Sequence, residues 1–127
     1  MFQGPHGYIS PTWYVEPGVP TWNYAAVHVY GRARAIDDPV LTARHVERLA
    51  ERYERGSAEP WVPSYDPRRL AGIVGLEIRI GEMQGKFKLS QNRSAEDRAR
   101  VAARLEASGT DNDAALARLV AAAGSAR

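Results

Sequence analysis

Cysteine is absent from this 127-residue sequence. Its absence excludes disulfide bonds, thiolate metal sites and thiol catalysis, and it favours a cytoplasmic protein. No apolar run approaches the ~20 residues that a membrane-spanning helix requires, and the N-terminus lacks the basic and apolar regions of a signal peptide. Acidic and basic residues nearly balance, at 15 against 17. We therefore expect only modest non-specific attraction to nucleic acid or to an anionic membrane.

Lysine is almost absent too, because 15 of the 17 cationic side chains are arginine. Lys86 and Lys88 are the two lysines, and both lie in the stretch GKFKLSQNRS. In an extended strand they share one face with Ser90, about 7 Å apart, while Gln91 ends the opposite, inward face. A phosphate or polar ring bound there would offset the repulsion of the lysines and pair with the Gln91 amide. A solvent-exposed strand face is the alternative.

Apolar spacing predicts one domain that mixes strands with helices. Strand patterns occupy residues 1–92 with inserted helices at 39–55 and 66–72, and residues 94–123 form a C-terminal helical segment. Asp38 and Ser94 are the predicted N-caps. Glycines and prolines predict short strand pieces broken by turns in 2–14, a loop at 56–65, and a turn or bulge at 81–85. The first inserted helix should bury a stripe of Leu41, His45 or Val46, Leu49 and Tyr53.

The segment 21–36 is the clearest strand in the sequence. Its small apolar face suits close packing inside a barrel, and consists of Ala25, Val27, Val29, Gly31, Ala33 and Ala35. The opposite face carries Trp22, Tyr24, Ala26, His28, Tyr30, Arg32 and Arg34. Solvated strand faces seldom concentrate aromatic residues in this way. We expect this face to be covered, either by helices of the same chain or by another subunit or flat ligand.

Three blocks of the sequence together resemble the PaiB-type family, the FMN-binding negative transcriptional regulators. The blocks are FQGPHGYISPTWY, VPTWNYAAVHVYGRARAIDDP and GKFKLSQNRSAEDR. They occur in the order of the family, and the resemblance extends to about Arg104. It implies a β-barrel with helices, of the FMN-binding split-barrel kind and incomplete at the N-terminus, since the family has further strands before the first block. It also implies a homodimer through the strand from Trp22 to Arg34.

FMN is the cofactor that this resemblance implies. The implied cofactor-binding residues are Lys86, Lys88, Ser90, Gln91, Asn92, Trp22, Asn23, Tyr8 and Ser10. Haem is the alternative cofactor, because piperazate synthases resembling PaiB bind haem, and His6 or His28 would then be its ligand. No spacing of histidines and carboxylates predicts a dedicated metal site, and a simple hydrogen-bonded histidine remains the alternative at both positions.

Three functions follow as hypotheses. The first is a PaiB-like transcriptional regulator that acts on DNA directly or through a regulatory partner. The second is a haem- or flavin-dependent redox enzyme on the same scaffold, and the third is a cofactor-free dimerising fragment. Direct DNA contact is disfavoured by the near-neutral charge. The last predicted helix offers only Arg118 among apolar residues, which is typical of packing rather than of base recognition.

Overall fold

The computed structural model of the protein describes residues 1–64 and 66–124. Its strands are β1 (Phe2–Ile9), β2 (Thr21–Ile36) and β3 (Gly75–Lys88), and its α-helices are α1 (Pro39–Glu54), α2 (Ala95–Glu106) and α3 (Asp111–Ala122). Two 3-10 helices, Pro11–Trp13 and Pro67–Gly72, complete the fold. The predicted α+β class is confirmed. Tyr65, at the end of the predicted loop 56–65, lies outside the described residues.

The strands form one sheet in the order β1-β2-β3. β1 is antiparallel to β2, with Ile9 opposite Thr21 and Phe2 opposite Val27. A bulge lies between Gln3 and His6, where the chain passes Gly4 and Pro5. The predicted interruption of the strand at Gly4 and Pro5 is therefore wrong, because the bulge absorbs these two residues within one continuous strand. The predicted break at Pro11 is confirmed, since the strand ends at Ile9 and a 3-10 helix begins at Pro11. Closure of a barrel stays a prediction.

β3 is also continuous, so no turn interrupts it at 81–85. The alternative predicted there, a bulge, stays a prediction. Among the described glycines only Gly56 and Gly109 have a positive φ, which means that Gly81 and Gly85 do not use their conformational freedom to turn the chain. Ile36 lies against Gly75, at the start of β3, and the Lys88 ammonium at its end bonds Thr21. β3 therefore runs antiparallel to β2.

The chain divides into two compact units, and the first contains Met1–Tyr30 and Glu82–Arg127. In this unit α2 packs against α3, and α3 packs on β1. The hydrophobic core consists of Ile9, Tyr14, Leu89, Val101, Ala102, Leu105, Leu116, Ala117 and Val120. A Cβ on Gly7 would lie 3.1 Å from Leu116, so this glycine permits close approach of α3 to the strand.

The termini of the last two helices follow the sequence closely. The Ser94 hydroxyl accepts a hydrogen bond from the Asp97 N–H at 3.0 Å, which confirms the predicted N-cap of α2. Thr110 caps α3 in the same way, and Gly109 ends the preceding segment with a φ of 76°. Both helices direct apolar side chains into the core, while Arg118 is exposed. No described helix combines the length and apolar character needed to cross a membrane.

The second unit, Gly31–Gly81, contains α1 and parts of β2 and β3. Asp38 caps α1 as predicted, accepting from the Val40 N–H at 2.8 Å. The predicted buried stripe of this helix is wrong: Leu49 is 59% and Tyr53 is 77% exposed. Thr42 is the buried residue of α1. The periodic spacing marks a face suited to burial, but in the described residues Leu41 and Val46 are only half-buried and the end of the face at Leu49 and Tyr53 is exposed to solvent.

Candidate functional site

A tight turn follows β3 and begins the site. Ser90, in this turn, has a φ of 59° and is only 4% exposed. The Gln91 side chain stabilises the turn: its Nε2 donates to the Phe87 carbonyl oxygen at 2.9 Å, and its Oε1 accepts from the Leu89 N–H at 2.7 Å. The predicted inward, buried position of Gln91 is wrong, because this residue is exposed and its amide is used by the backbone of the turn.

Asn23 and Ser90 form a buried pair of polar side chains. Asn23 is fully buried in β2, and its Nδ2 donates to the Ser90 Oγ at 2.9 Å. The Asn23 Oδ1 is also buried and has no hydrogen-bond partner among the residues that the structure describes. An unsatisfied buried acceptor costs about 1–3 kcal/mol. A ligand that donates a hydrogen bond to this atom would recover that cost.

A cavity of about 230 Å³ opens next to this pair. Its lining residues are Tyr14, Val19, Thr21, Asn23, Lys88, Ser90, Asn92 and Arg93. The Lys88 Nζ donates to the Thr21 Oγ1, and the Arg93 guanidinium lies 4.0 Å above the centre of the Tyr14 ring. Within the described ranges no carboxylate forms a salt bridge with either cation. The cavity therefore combines uncompensated positive charge with a free acceptor.

The structure brings four of the predicted cofactor-binding residues together at this cavity: Asn23, Lys88, Ser90 and Asn92. Trp22 lies on the other face of the sheet, because adjacent residues of a strand alternate. There it meets Tyr8 edge to face, with ring centres 6.5 Å apart, and stacks on His6 at 6.1 Å. The predicted residues thus separate into a polar cavity on one face and an aromatic surface on the other.

Two further predicted residues lie away from the cavity lining. Ser10 is the N-cap of the first 3-10 helix, and its Oγ accepts from the Thr12 N–H at 3.3 Å. Lys86 is exposed and does not line the cavity. The second cation of the site is Arg93, which strand alternation could not place because the turn at Ser90 ends the extended geometry. The sequence signal that could identify Arg93 as a site residue is its position directly after the Ser-Gln-Asn segment.

The histidines proposed as haem ligands have contacts of their own. The His6 Nδ1 lies 3.2 Å from the Gly4 carbonyl oxygen, and the His28 ring stacks on Tyr30 with centres 6.4 Å apart. Within residues 1–64 and 66–124, no group of three or more His, Asp or Glu side chains is arranged to hold a metal ion.

The second unit carries an exposed ion pair on its strands. Arg34 donates two hydrogen bonds to Glu77, at 3.2 and 3.0 Å. These bonds and the nearby positive charge lower the pKa of Glu77 below its usual value. Both side chains are largely exposed, so the pair should contribute little to stability.

Comparison with known proteins decides the family. The family model described as "Putative FMN-binding domain" matches residues 1–82, which is more than half of the chain. The chain belongs to this family. Together with the Bacillus subtilis relative described next, this match confirms the PaiB-type resemblance. The matched range includes Tyr14 and Asn23 of the cavity. It ends before Lys88, the last residue of β3, and before Arg93, which lies in the turn that follows.

Relatives with curated names extend the match beyond that range. The chain is 39% identical over 125 residues to "Protease synthase and sporulation protein PAI 2" of Bacillus subtilis, which covers 94% of this chain and 60% of that protein. It is 34% identical over 141 residues to "Uncharacterized protein AN0679" of Emericella nidulans, covering 94% of this chain and 56% of that protein. The chain therefore spans less than two thirds of the length of these relatives.

Proposed function

We propose that this chain is a PaiB-like protein that binds FMN through the cavity beside Asn23 and acts as a transcriptional regulator. One observation carries the binding proposal: the unpartnered Asn23 Oδ1 lies at a cavity whose two cations, Lys88 and Arg93, have no carboxylate partner in the described chain. FMN would provide an anion for the two cations and a hydrogen-bond donor for the Asn23 Oδ1. Its phosphate carries about two negative charges at neutral pH, and its ribityl hydroxyls can donate to the amide oxygen.

The size of the cavity limits which part of FMN it receives. Drug-sized ligands occupy pockets of about 300–1,000 Å³. At about 230 Å³ this cavity suits the phosphate and adjoining hydroxyls better than a complete flavin. When bound, the flavin ring would supply redox chemistry or a redox-sensitive signal. The residues of this chain hold the phosphate end and exclude water from the Asn23 amide.

FMN is preferred to haem as the cofactor because the family description names FMN. The regulatory part of the proposal is supported by the family and by the name of the Bacillus relative, which refers to protease synthesis and sporulation. A dependence of transcription on this protein would be measured by comparing transcript levels across the genome in cells with and without it. Unchanged expression across the genome would contradict the regulatory role.

Titration of FMN with the purified protein, followed by flavin fluorescence, tests the binding proposal. Lys88→Gln should weaken FMN binding, because it removes a cation from the cavity. Lys86→Gln is the matched control, since Lys86 is exposed and lies outside the lining. Absence of FMN binding to the wild-type protein would refute the proposal. Equal weakening by both substitutions would show a general charge effect in place of a site.

We also propose that the protein forms a homodimer through the aromatic face of β2. Trp22 and Tyr30 on this face are 53% and 49% exposed, and Tyr8 on the adjoining strand is 48% exposed. Exposed aromatic residues that share one face of a sheet are typical of interfaces. A second copy would cover this surface, and pairing of its strands with free sheet edges would contribute to a split barrel.

A further inference from the structure

We infer that Arg93, held on the Tyr14 ring beside Gly18, is the main phosphate-binding residue of the cavity, and that the cavity selects phosphate monoesters that carry a nearby hydroxyl group. This inference deepens the proposed binding of FMN and rests on it. It assigns recognition to the phosphate end, independently of the flavin ring.

Tyr14 holds Arg93 in position. The Arg93 guanidinium lies 4.0 Å above the Tyr14 ring, and Tyr14 itself is buried in the core of the first unit. A guanidinium held over an aromatic ring by cation–π attraction keeps its N–H groups available to bind an anion. No acceptor among the described residues takes a hydrogen bond from this side chain. Arg93 is therefore oriented before any ligand arrives, which reduces the entropy lost on binding.

Gly18, in the loop before β2, lies close to both Tyr14 and Arg93. A Cβ at this position would lie 2.6 Å from the Tyr14 Cδ2 and 2.7 Å from the Arg93 Nη2. Both distances are shorter than van der Waals contact, so a side chain at position 18 would displace Tyr14 or Arg93 from their contact with each other. The φ of Gly18 is outside the left-handed region, so alanine is acceptable to the backbone there. The absence of a side chain at Gly18 thus preserves the position of the guanidinium.

The cavity also favours a ligand that carries a hydroxyl group. Lys88 and Arg93 provide two cations for a phosphate, whereas the Asn23 Oδ1 requires a hydrogen-bond donor. A dianionic phosphate offers acceptors only. A monoester with a hydroxyl on a neighbouring carbon provides both kinds of group within a small volume. The end of the ribityl chain of FMN has this chemistry, and so does glycerol 1-phosphate.

The test uses purified wild-type protein with FMN, riboflavin, glycerol 1-phosphate and methyl phosphate. Arg93→Gln and Gly18→Ala should each weaken FMN binding about tenfold or more, because a charge-assisted hydrogen bond is lost or misplaced. Their effect on any riboflavin binding should be negligible. Glycerol 1-phosphate should displace FMN better than methyl phosphate, and Asn23→Leu should remove that preference.

Two substitutions serve as matched controls. Gly72→Ala introduces the same methyl group where no atom lies within 4 Å, and Arg104→Gln removes an exposed arginine of α2. Both should leave FMN binding unchanged. Circular dichroism establishes whether each variant is folded. Gly18→Ala keeps the test decisive if Arg93→Gln does not fold.

The outcomes separate this inference from the proposed function. If FMN binds but riboflavin binds equally well and neither variant has an effect, the inference is wrong and the proposed binding of FMN stands. If FMN fails to bind while glycerol 1-phosphate stabilises the wild-type protein but not Arg93→Gln, the phosphate site is supported and the FMN proposal fails. If neither compound binds, both are refuted.

Discussion

The side-chain amide of Asn112 pairs with both backbone polar groups of His6. Its Nδ2 donates to the His6 carbonyl oxygen at 2.7 Å, and its Oδ1 accepts from the His6 N–H at 3.3 Å. β1 is an edge strand of the sheet, and such edges otherwise present unpaired groups to solvent. One residue at the start of α3 thus takes the place of a neighbouring strand, joining positions 106 residues apart in the chain.

Replacing Asn112 with alanine should destabilise the protein by about 1–2 kcal/mol, because two hydrogen bonds to the edge strand are lost. Urea unfolding followed by circular dichroism measures this change. Gln84→Ala is the control, because it also removes a side-chain amide but breaks only an exposed hydrogen bond between side chains. In that bond the Gln84 Nε2 donates to the Glu82 Oε1 at 2.6 Å. If both variants match the wild-type protein, the pairing with His6 contributes nothing to the stability of the fold.

Local signals explain why the helices could be predicted. Proline after Asp38 and the Ser94-to-Asp97 spacing determine helix starts through bonds made within one turn. The strand 21–36 was equally clear, because its alternation extends over 16 residues. The bulge near Gly4 and the continuity of β3 depend on pairing with distant strands. No short sequence pattern carries that information.

In the candidate site, too, some residues can be identified from local sequence, whereas others depend on contacts between distant parts of the chain. The Lys88-to-Asn92 segment could be identified from the sequence because its residue types are unusual beside each other. The contribution of Arg93 could not, since it depends on the left-handed conformation of Ser90 and on a tyrosine 79 positions away in the sequence. The family resemblance places Trp22 and Asn23 in one site, whereas strand geometry puts them on opposite faces of the sheet.

Substitutions at Ser90 should separate backbone strain from hydrogen bonding. Ser90→Gly loses the bond from Asn23 but relieves the left-handed conformation, whereas Ser90→Ala loses the bond and keeps the strain. Both variants should be less stable than the wild-type protein, and the alanine variant should be lower by about 1 kcal/mol. Urea unfolding ranks the stabilities of the wild-type protein and the two variants. An alanine variant as stable as the glycine variant would show that the φ of 59° costs nothing.

The carboxylate of Asp113 should make stability depend on pH. A hydrogen bond from Ser108 lowers the pKa of Asp113, and bonds from Asn112 and Thr110 act in the same direction. Because the folded-state pKa lies below the unfolded-state value of about 3.9, this contribution is complete above that pH and is lost as the pH falls through the folded-state pKa.

Ser108→Ala should therefore differ most from the wild-type protein near neutral pH, and the difference should shrink in acid. Urea unfolding at several pH values measures it, and NMR titration should show a higher pKa for Asp113 in the variant. Ser108 Oγ also accepts a bond from the Thr110 N–H at 3.4 Å, whose loss does not depend on pH. A difference in stability that stays constant with pH would assign the whole effect to that second bond.

Tyr30→Glu should convert the proposed homodimer into a monomer or make the protein insoluble. The Tyr30 ring stacks on His28 and is 49% exposed, so a carboxylate there would be desolvated within the interface. Size-exclusion chromatography with light scattering measures the molecular mass. Tyr53→Glu introduces the same charge on α1, at a position that is 77% exposed, and should leave the dimer intact. A wild-type monomer, or a soluble dimer unaffected by Tyr30→Glu, would show that the aromatic face of β2 is not the interface.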